Sequence, residues 1–198
     1  MNLLAHAYLS FNNTNVLVGN MISDYVKGKT QYNYPIPIQQ GIQLHRAIDE
    51  FTDTHAVTIK LKQLFKPTYR LYAGAFVDVV YDYFLANDKN EFANSLVLKE
   101  FTQSTYKSLE KNIVHFPEKF AKTFTYMQLQ DWLYNYKTTT GMQKSFNGLA
   151  RRATYITETD TAFQIFLAEM DYIENEYKQF FPELKLFAYN KLAILLVQ

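Results

Sequence analysis

Two helically spaced pairs carry most of the chemistry this sequence offers: His45 with Asp49, and Asp78 with Asp82, each four residues apart. On a helix, residues four apart project to one place. Set out at roughly 100° per residue, Ile38, Ile42, His45, Asp49 and Thr52 fall within a stripe about 80° wide, with Gln39, Gln40, Gln43, Ala47 and Glu50 on or toward the other side. An imidazole and a carboxylate therefore sit in the middle of a face that should be buried. They form either a structural hydrogen-bonded pair or part of a metal or catalytic site. Asp53, about one turn further on, reaches the edge of the same site or pairs with Arg46.

The second pair is the stronger anomaly. The segment YRLYAGAFVDVVYDYFLA is apolar nearly all round and reads as a central helix, with Asp78 and Asp82 on the stripe of Leu71, Ala75 and Leu85. Two carboxylates on one buried face repel, and burial without compensation costs several kcal/mol or forces protonation. Salt bridges to Arg46 and Arg70 would answer that. So would a divalent metal, with His45 and Asp49 completing a nitrogen- and oxygen-rich shell that suits Mn, Fe or Mg. Asp24 shares a face with Leu17 and Met21, and His6 follows Leu3 by three residues. Each extends the same site or has a structural role, Asp24 as a cap or a partner of Lys27 and His6 as a hydrogen-bonded core histidine. His55 and His115 flank loop-like positions and read as surface residues. The absence of cysteine excludes disulfides, thiolate zinc sites, iron–sulfur clusters and cysteine nucleophiles, and leaves any metal to His, Asp or Glu.

Those side chains need elements to carry them. The 198 residues include only 6 Gly and 5 Pro, too few turn formers for an all-β fold, so long helices are the economical reading. The 16 Tyr and 16 Phe favour strands when taken alone, so helical spacing has to decide. Helices are predicted at 3–9, 16–26, 38–52, 55–65, 69–85, 91–112, 117–136, 142–152 and 158–180, with a tail helix after Pro182. Gly28 is a natural stop for the second, Pro35 and Pro37 make QYNYPIPI a loop, and Pro67 separates the fourth from the fifth. Without a repeat, a low-complexity tract or a linker, one all-α domain over residues 1–198 is the simplest organisation. At 48% hydrophobic residues the chain buries a core, which excludes intrinsic disorder. Lys and Arg total 20 against 19 Asp and Glu, a formal charge of +1, so no nucleic-acid partner is expected. The apolar start MNLLAHAYLSF lacks a leading basic region and is broken by His6, and no stretch approaches the roughly 18 to 20 apolar residues of a membrane span. A cytoplasmic protein with no membrane partner is expected.

The segments MNLLAHAYLS, GNMISDYVKGK, GIQLHRAIDEFTD, VDVVYDYFL, FNGLARR and YKQFFPEL, in this order and approximate spacing, resemble the acyl carrier protein phosphodiesterase family, which is related to the HD-domain phosphohydrolases. The second and third segments are the specific ones. The resemblance implies an HD-domain-like, all-helical fold and a divalent metal of the Mn2+ type, with Mg2+ or Fe2+ as alternatives. It also implies hydrolysis of the phosphodiester joining 4'-phosphopantetheine to a serine of holo-acyl carrier protein, the expected partner. Two departures stand out. Where HD enzymes have adjacent His and Asp, His45 is followed by Arg46 and the acid comes at Asp49. Where the family tends to carry a histidine after the second acid of the fifth-helix motif, this chain has Tyr83.

On that basis His45, Asp49, Asp78 and Asp82 are the expected metal ligands. His6 and Asp24 are expected to take a proton from water or give one to the leaving oxygen. Arg46, Arg70, Arg151 or Arg152 would clamp the phosphate, or each is a surface ion pair. Lys27, Lys29 and Lys66 offer a basic rim to an acidic carrier-protein helix, or are simply solvated. Two other readings stay open: an HD-like phosphohydrolase for another small phosphoester or nucleotide, and a catalytically inactive helical protein that grips a carrier, for which Tyr83 speaks.

Overall fold

Eleven α-helices follow one another in the computed structural model, which describes residues 1–197, and no strand occurs among those residues. They are α1 (Leu3–Tyr8), α2 (Thr14–Ile22), α3 (Ile36–Thr54), α4 (Ala56–Tyr69), α5 (Ala73–Asn87), α6 (Ser95–Glu110), α7 (Glu118–Leu129), α8 (Trp132–Asn135), α9 (Thr139–Arg152), α10 (Asp160–Ala168) and α11 (Met170–Leu196). Asn13, Asn94 and Thr138 each accept a backbone amide of the helix that follows, and the His55 ring does so for α4. A polar cap of this kind contributes about 1 kcal/mol. Pro37 stands in the first turn of α3, where a missing N–H is harmless. That helix therefore begins inside the segment expected to be a loop.

Two prolines expected to separate helices do not. α4 runs through Pro67 to Tyr69, and α11 runs through Pro182 to Leu196. A proline inside a helix costs about 3 kcal/mol, yet each is flanked by large side chains that the continued helix buries: Phe65 and Tyr69 in α4, and Phe180, Phe181 and Leu184 in α11. Each such side chain gains about 1.5–3 kcal/mol on burial, so packing outweighs the lost hydrogen bond. The breaks come instead at Arg70, where φ is +49°, and at Glu169, between α10 and α11. Leu71, expected on the buried stripe of the fifth helix, lies outside α5 in a 3-10 turn and is 99% exposed.

The central helix is α5, with Phe76, Val77, Val79, Val80, Tyr81, Phe84 and Leu85 all buried. α1, α4, α9 and α11 pack around it. Phe76 stacks on Phe65 of α4 at 5.7 Å and meets Phe146 of α9 edge-on at 5.1 Å, while Tyr81 stacks on Phe180 of α11 at 4.6 Å. Rings meeting across helices in these geometries account for an aromatic content that reads as strand-like from composition alone. On the other side of the core, α2 and α3 touch backbone to backbone. A Cβ on Gly19 would lie 2.0 Å from the Ile38 carbonyl oxygen, and one on Gly41 would lie 2.3 Å from that of Val16. Only glycine permits this approach, which sets Asn20 of α2 against His45 of α3. Among the described residues, no helix is long and apolar enough to cross a membrane.

Candidate metal centre

α1, the 3-10 turn after α2, α3 and α5 converge on one point. They bring together His6, Asp24, His45, Asp49 and Asp78, five of the seven residues expected at the site. The imidazoles of His6 and His45 stack at 3.9 Å between centroids with 16° between their planes. Asp49 spans both: its Oδ1 lies 3.2 Å from His6 Nε2 and its Oδ2 lies 3.0 Å from His45 Nε2. Asp24 approaches the same His45 nitrogen at 3.3 Å from the solvent side. The Met1 ammonium joins Asp49 to Asp78, at 3.2 and 3.1 Å.

The tautomer of His45 follows from its other nitrogen. Nδ1 lies 2.7 Å from the Asn20 carbonyl oxygen, which only accepts. Nδ1 therefore carries the hydrogen, and in the neutral ring Nε2 turns a lone pair toward two carboxylates. That arrangement is repulsive unless a proton or a metal cation lies between them. In the metal-free protein the proton does: burial opposes the charge, but Asp24 and Asp49 overcome it and hold His45 up at about 9. His6 goes the other way, pushed down to about 4 by burial and by the neighbouring His45 cation. For Asp49, burial acts to raise the pKa, but the imidazoles and the Met1 ammonium prevail and hold it far below the carboxylate range. Asp24 is lowered chiefly by its bond to His45, and Asp78 is raised by burial against the pull of Met1.

The donor set fits a divalent cation. One ligand atom each from His6, His45 and Asp49 lies within 4.8 Å of the others. Three ring nitrogens there, His6 Nδ1, His6 Nε2 and His45 Nε2, are buried without a well-formed hydrogen bond. Buried polar atoms are normally paired, and a cation shared by two imidazoles and a carboxylate would satisfy two of these nitrogens at once.

The other expected residues sit elsewhere. Asp82 is fully buried one turn along α5, where it accepts the backbone amides of Leu4 at 2.8 Å and Ala5 at 3.1 Å. Its charge meets the unpaired amides that open α1, an answer to the buried-carboxylate problem that needs neither metal nor arginine. Burial pushes Asp82 up to about 7 against the pull of those two amides. Arg46 points away from the cluster and donates to Gln31 Oε1 at 2.7 Å and the Val26 carbonyl at 3.3 Å, tying the loop before α3 to that helix. Asp53 pairs with Lys62 at 2.7 Å. Tyr83 lies about 140° around α5 from Asp78 and packs edge-on against Phe166 at 5.0 Å, so the position where the family tends to carry histidine does not face this cluster. Sequence reasoning passed over Asn20, which is fully buried: its carbonyl orients His45, and its side-chain amide donates to the His6 carbonyl at 2.9 Å and to Ser10 Oγ at 3.2 Å. A lone amide in the apolar run VLVGNMI was the available signal.

A family model described as acyl carrier protein phosphodiesterase matches residues 1–184. Among curated relatives, a protein of that name from Klebsiella pneumoniae subsp. pneumoniae is 30% identical over 191 residues, covering 96% of this chain and 99% of its own. Proteins of the same name from Photorhabdus laumondii, 29% identical over 96% of each chain, and Escherichia coli O6:H1, 27% identical over 93% and 95%, extend the likeness. No solved structure matches the chain.

Proposed function

Since this chain belongs to the acyl carrier protein phosphodiesterase family, we propose that it hydrolyses the phosphodiester between 4'-phosphopantetheine and the serine of holo-acyl carrier protein, leaving the apo carrier. The observation that carries this reading is the stacked pair His6 and His45 astride Asp49, with buried ring nitrogens left without well-formed hydrogen bonds. His6, His45 and Asp49 would hold a divalent cation, Mn2+ in this reading, with Mg2+ and Fe2+ as alternatives the same donors accept. Such an ion, when bound, acidifies water and neutralises charge gathering on phosphoryl oxygens. The Asn20 carbonyl keeps His45 in the tautomer that presents Nε2. Asp24, at the solvent edge of the cluster, is the group assigned to orient the attacking water. Its carboxylate takes a proton from that water as the new phosphorus–oxygen bond forms, and the serine oxygen, leaving from the opposite side of the phosphorus, takes its proton from solvent.

The test is direct. Purified protein with Mn2+ should convert holo-acyl carrier protein to the apo form, with one phosphopantetheine released per carrier by mass spectrometry. His45→Ala and Asp49→Ala should each lower that rate about a hundredfold or more and abolish Mn2+ uptake measured by elemental analysis. A wild-type protein that leaves the carrier intact while cleaving another phosphoester, or that takes up no divalent ion, would overturn the proposal.

A further inference from the structure

The outer side of α11 changes character past Pro182. Set out at about 100° per residue, Leu186, Tyr189, Ala193, Leu196 and Val197 share a stripe about 100° wide, and all five are exposed. Earlier turns of the same stripe carry Asp171, Asn175, Lys178 and Gln179, also exposed and polar, as the solvent side of a surface helix should be. The last three turns have no polar side chain there. The chain's own core does not account for them, because this half of α11 already buries Leu184, Ala188, Leu192 and Leu195 against α3 and its neighbours, about 130° round the helix. Leu186 is 62% exposed, Tyr189 59%, Leu196 48% and Val197 85%. Tyr189 is nonetheless held in place, by Phe11 edge-on at 5.5 Å.

We propose that this stripe pairs two copies of the chain, their α11 helices antiparallel about a two-fold axis at position 191. Residues 186, 189, 193 and 196 follow the three-four-three spacing of a coiled-coil seam, and they lie symmetrically about 191. Antiparallel pairing sets Leu186 against Leu196 of the partner subunit and the large Tyr189 against the small Ala193 of the partner subunit. A parallel pair would oppose two tyrosines and leave a gap between two alanines, so the stripe is complementary to itself in one sense only. Charge argues against other occupants. The nearest cation, Lys185, is bound to Glu91, and Lys191 stands on the opposite side of the helix, so neither an acidic protein nor an anionic bilayer finds a free counter-charge along the seam. At these exposures the stripe and the adjoining Ile194 offer about 500 Å² per copy. A pair then buries about 1,000 Å², the lower bound for a specific interface, which points to a reversible dimer. The seam lies on the side of α11 turned from α3, which carries His45 and Asp49, so the pairing is independent of the reaction proposed above.

Sedimentation equilibrium of the purified chain, loaded from about 1 to 100 µM, should show a reversible passage from one copy to two. Ala193→Glu puts a charge in the middle of the seam and should raise the dimer dissociation constant about a hundredfold or more. Because Ala193 is exposed in the single copy, the melting temperature of the dilute variant should stay at the wild-type value. The chain has no cysteine of its own, which permits a second measurement. Leu186→Cys combined with Leu196→Cys should give a covalent dimer on mild oxidation, read on a non-reducing gel. Either single change should not, because like positions lie about 15 Å apart along an antiparallel pair, beyond disulfide reach. A chain still monomeric at the highest loading, or an Ala193→Glu variant that pairs like wild type, would overturn the proposal. Cross-linking by the single variants would refute the antiparallel arrangement. Capture of a monomer by phosphatidylglycerol vesicles, abolished by Ala193→Glu, would give the stripe to lipid instead.

Discussion

At the scale of single residues, Asp82 shows how a buried charge is tolerated and how it marks the stability of the chain. Burial holds the carboxyl of the folded protein up at about 7, whereas in an unfolded chain it releases its proton near the ordinary aspartate value of 3.8. Between those values the native state binds more protons than the unfolded state, so the contribution of this group to stability falls as pH rises from about 4 to about 7. Asp82→Asn keeps an acceptor for the amides of α1 and removes the titration. The difference in melting temperature between variant and wild type should grow in favour of the variant across that interval and level off above it. Parallel profiles would show that the two backbone amides hold Asp82 ionised throughout. Asn20 makes a second residue-scale case. Asn20→Ala deletes the bonds to the His6 carbonyl and Ser10 Oγ, and should cost about 1–3 kcal/mol in chemical denaturation. The lost bonds hold the backbone that carries His6, whereas His45 keeps its bond to the backbone carbonyl of residue 20, so Mn2+ affinity should fall by only about threefold to tenfold, measured by titration at matched folded fraction.

Among the elements, the α2–α3 crossing is the most demanding. The atoms that a Cβ on Gly19 would strike, the Ile38 carbonyl oxygen and the Gly41 Cα, belong to the backbone and yield only if the helices part. Gly19→Ala should therefore destabilise by about 3 kcal/mol or more and, by withdrawing the Asn20 carbonyl from His45, weaken metal binding as well. Gly148 is the counter-example, for it lies within α9 with nothing within 4 Å of an added Cβ. Gly148→Ala should raise stability by about 0.5–1 kcal/mol. Two glycine-to-alanine changes of opposite sign in one chain, read by equilibrium unfolding, separate close packing from helix propensity. α1 is also an element whose value lies in its contacts. Its six residues are too few for an isolated helix to be stable, but Asp82 receives its first amides and His6 joins its C-terminal half to the cluster.

For the molecule as a whole, four parts of the chain distant in sequence meet at the cluster, so binding an ion there stabilises the native state against a chain in which they are dispersed. At a free Mn2+ concentration about 100 times the dissociation constant the gain is about 2.7 kcal/mol, which for a domain of this size raises the melting temperature by about 5–10 °C. Calorimetry with Mn2+ and then with excess EDTA should show the rise and its reversal, and Asp49→Ala should show neither. A wild-type melting temperature indifferent to both additions would remove the metal from the folded state.

Apolar periodicity was enough to specify an all-helical chain and most of its helices, because burial of a stripe is a property of local order. It also singled out His45 with Asp49 as polar groups on a face meant for the core. What local order does not contain is the partner that compensates each buried charge. Asp78 and Asp82 look equivalent along the sequence, yet one faces the Met1 ammonium and the cluster while the other caps α1, a difference set by which distant backbone is packed against each turn of α5. Pro67 and Pro182 are helix breakers by local rule, overruled where burial of their aromatic neighbours outweighs one lost hydrogen bond. Asn20 and the glycines beside it gain their meaning only when α2 and α3 touch. The tertiary structure decided these points because electrostatic compensation and close packing depend on distances between segments, which a linear pattern of residue types does not fix.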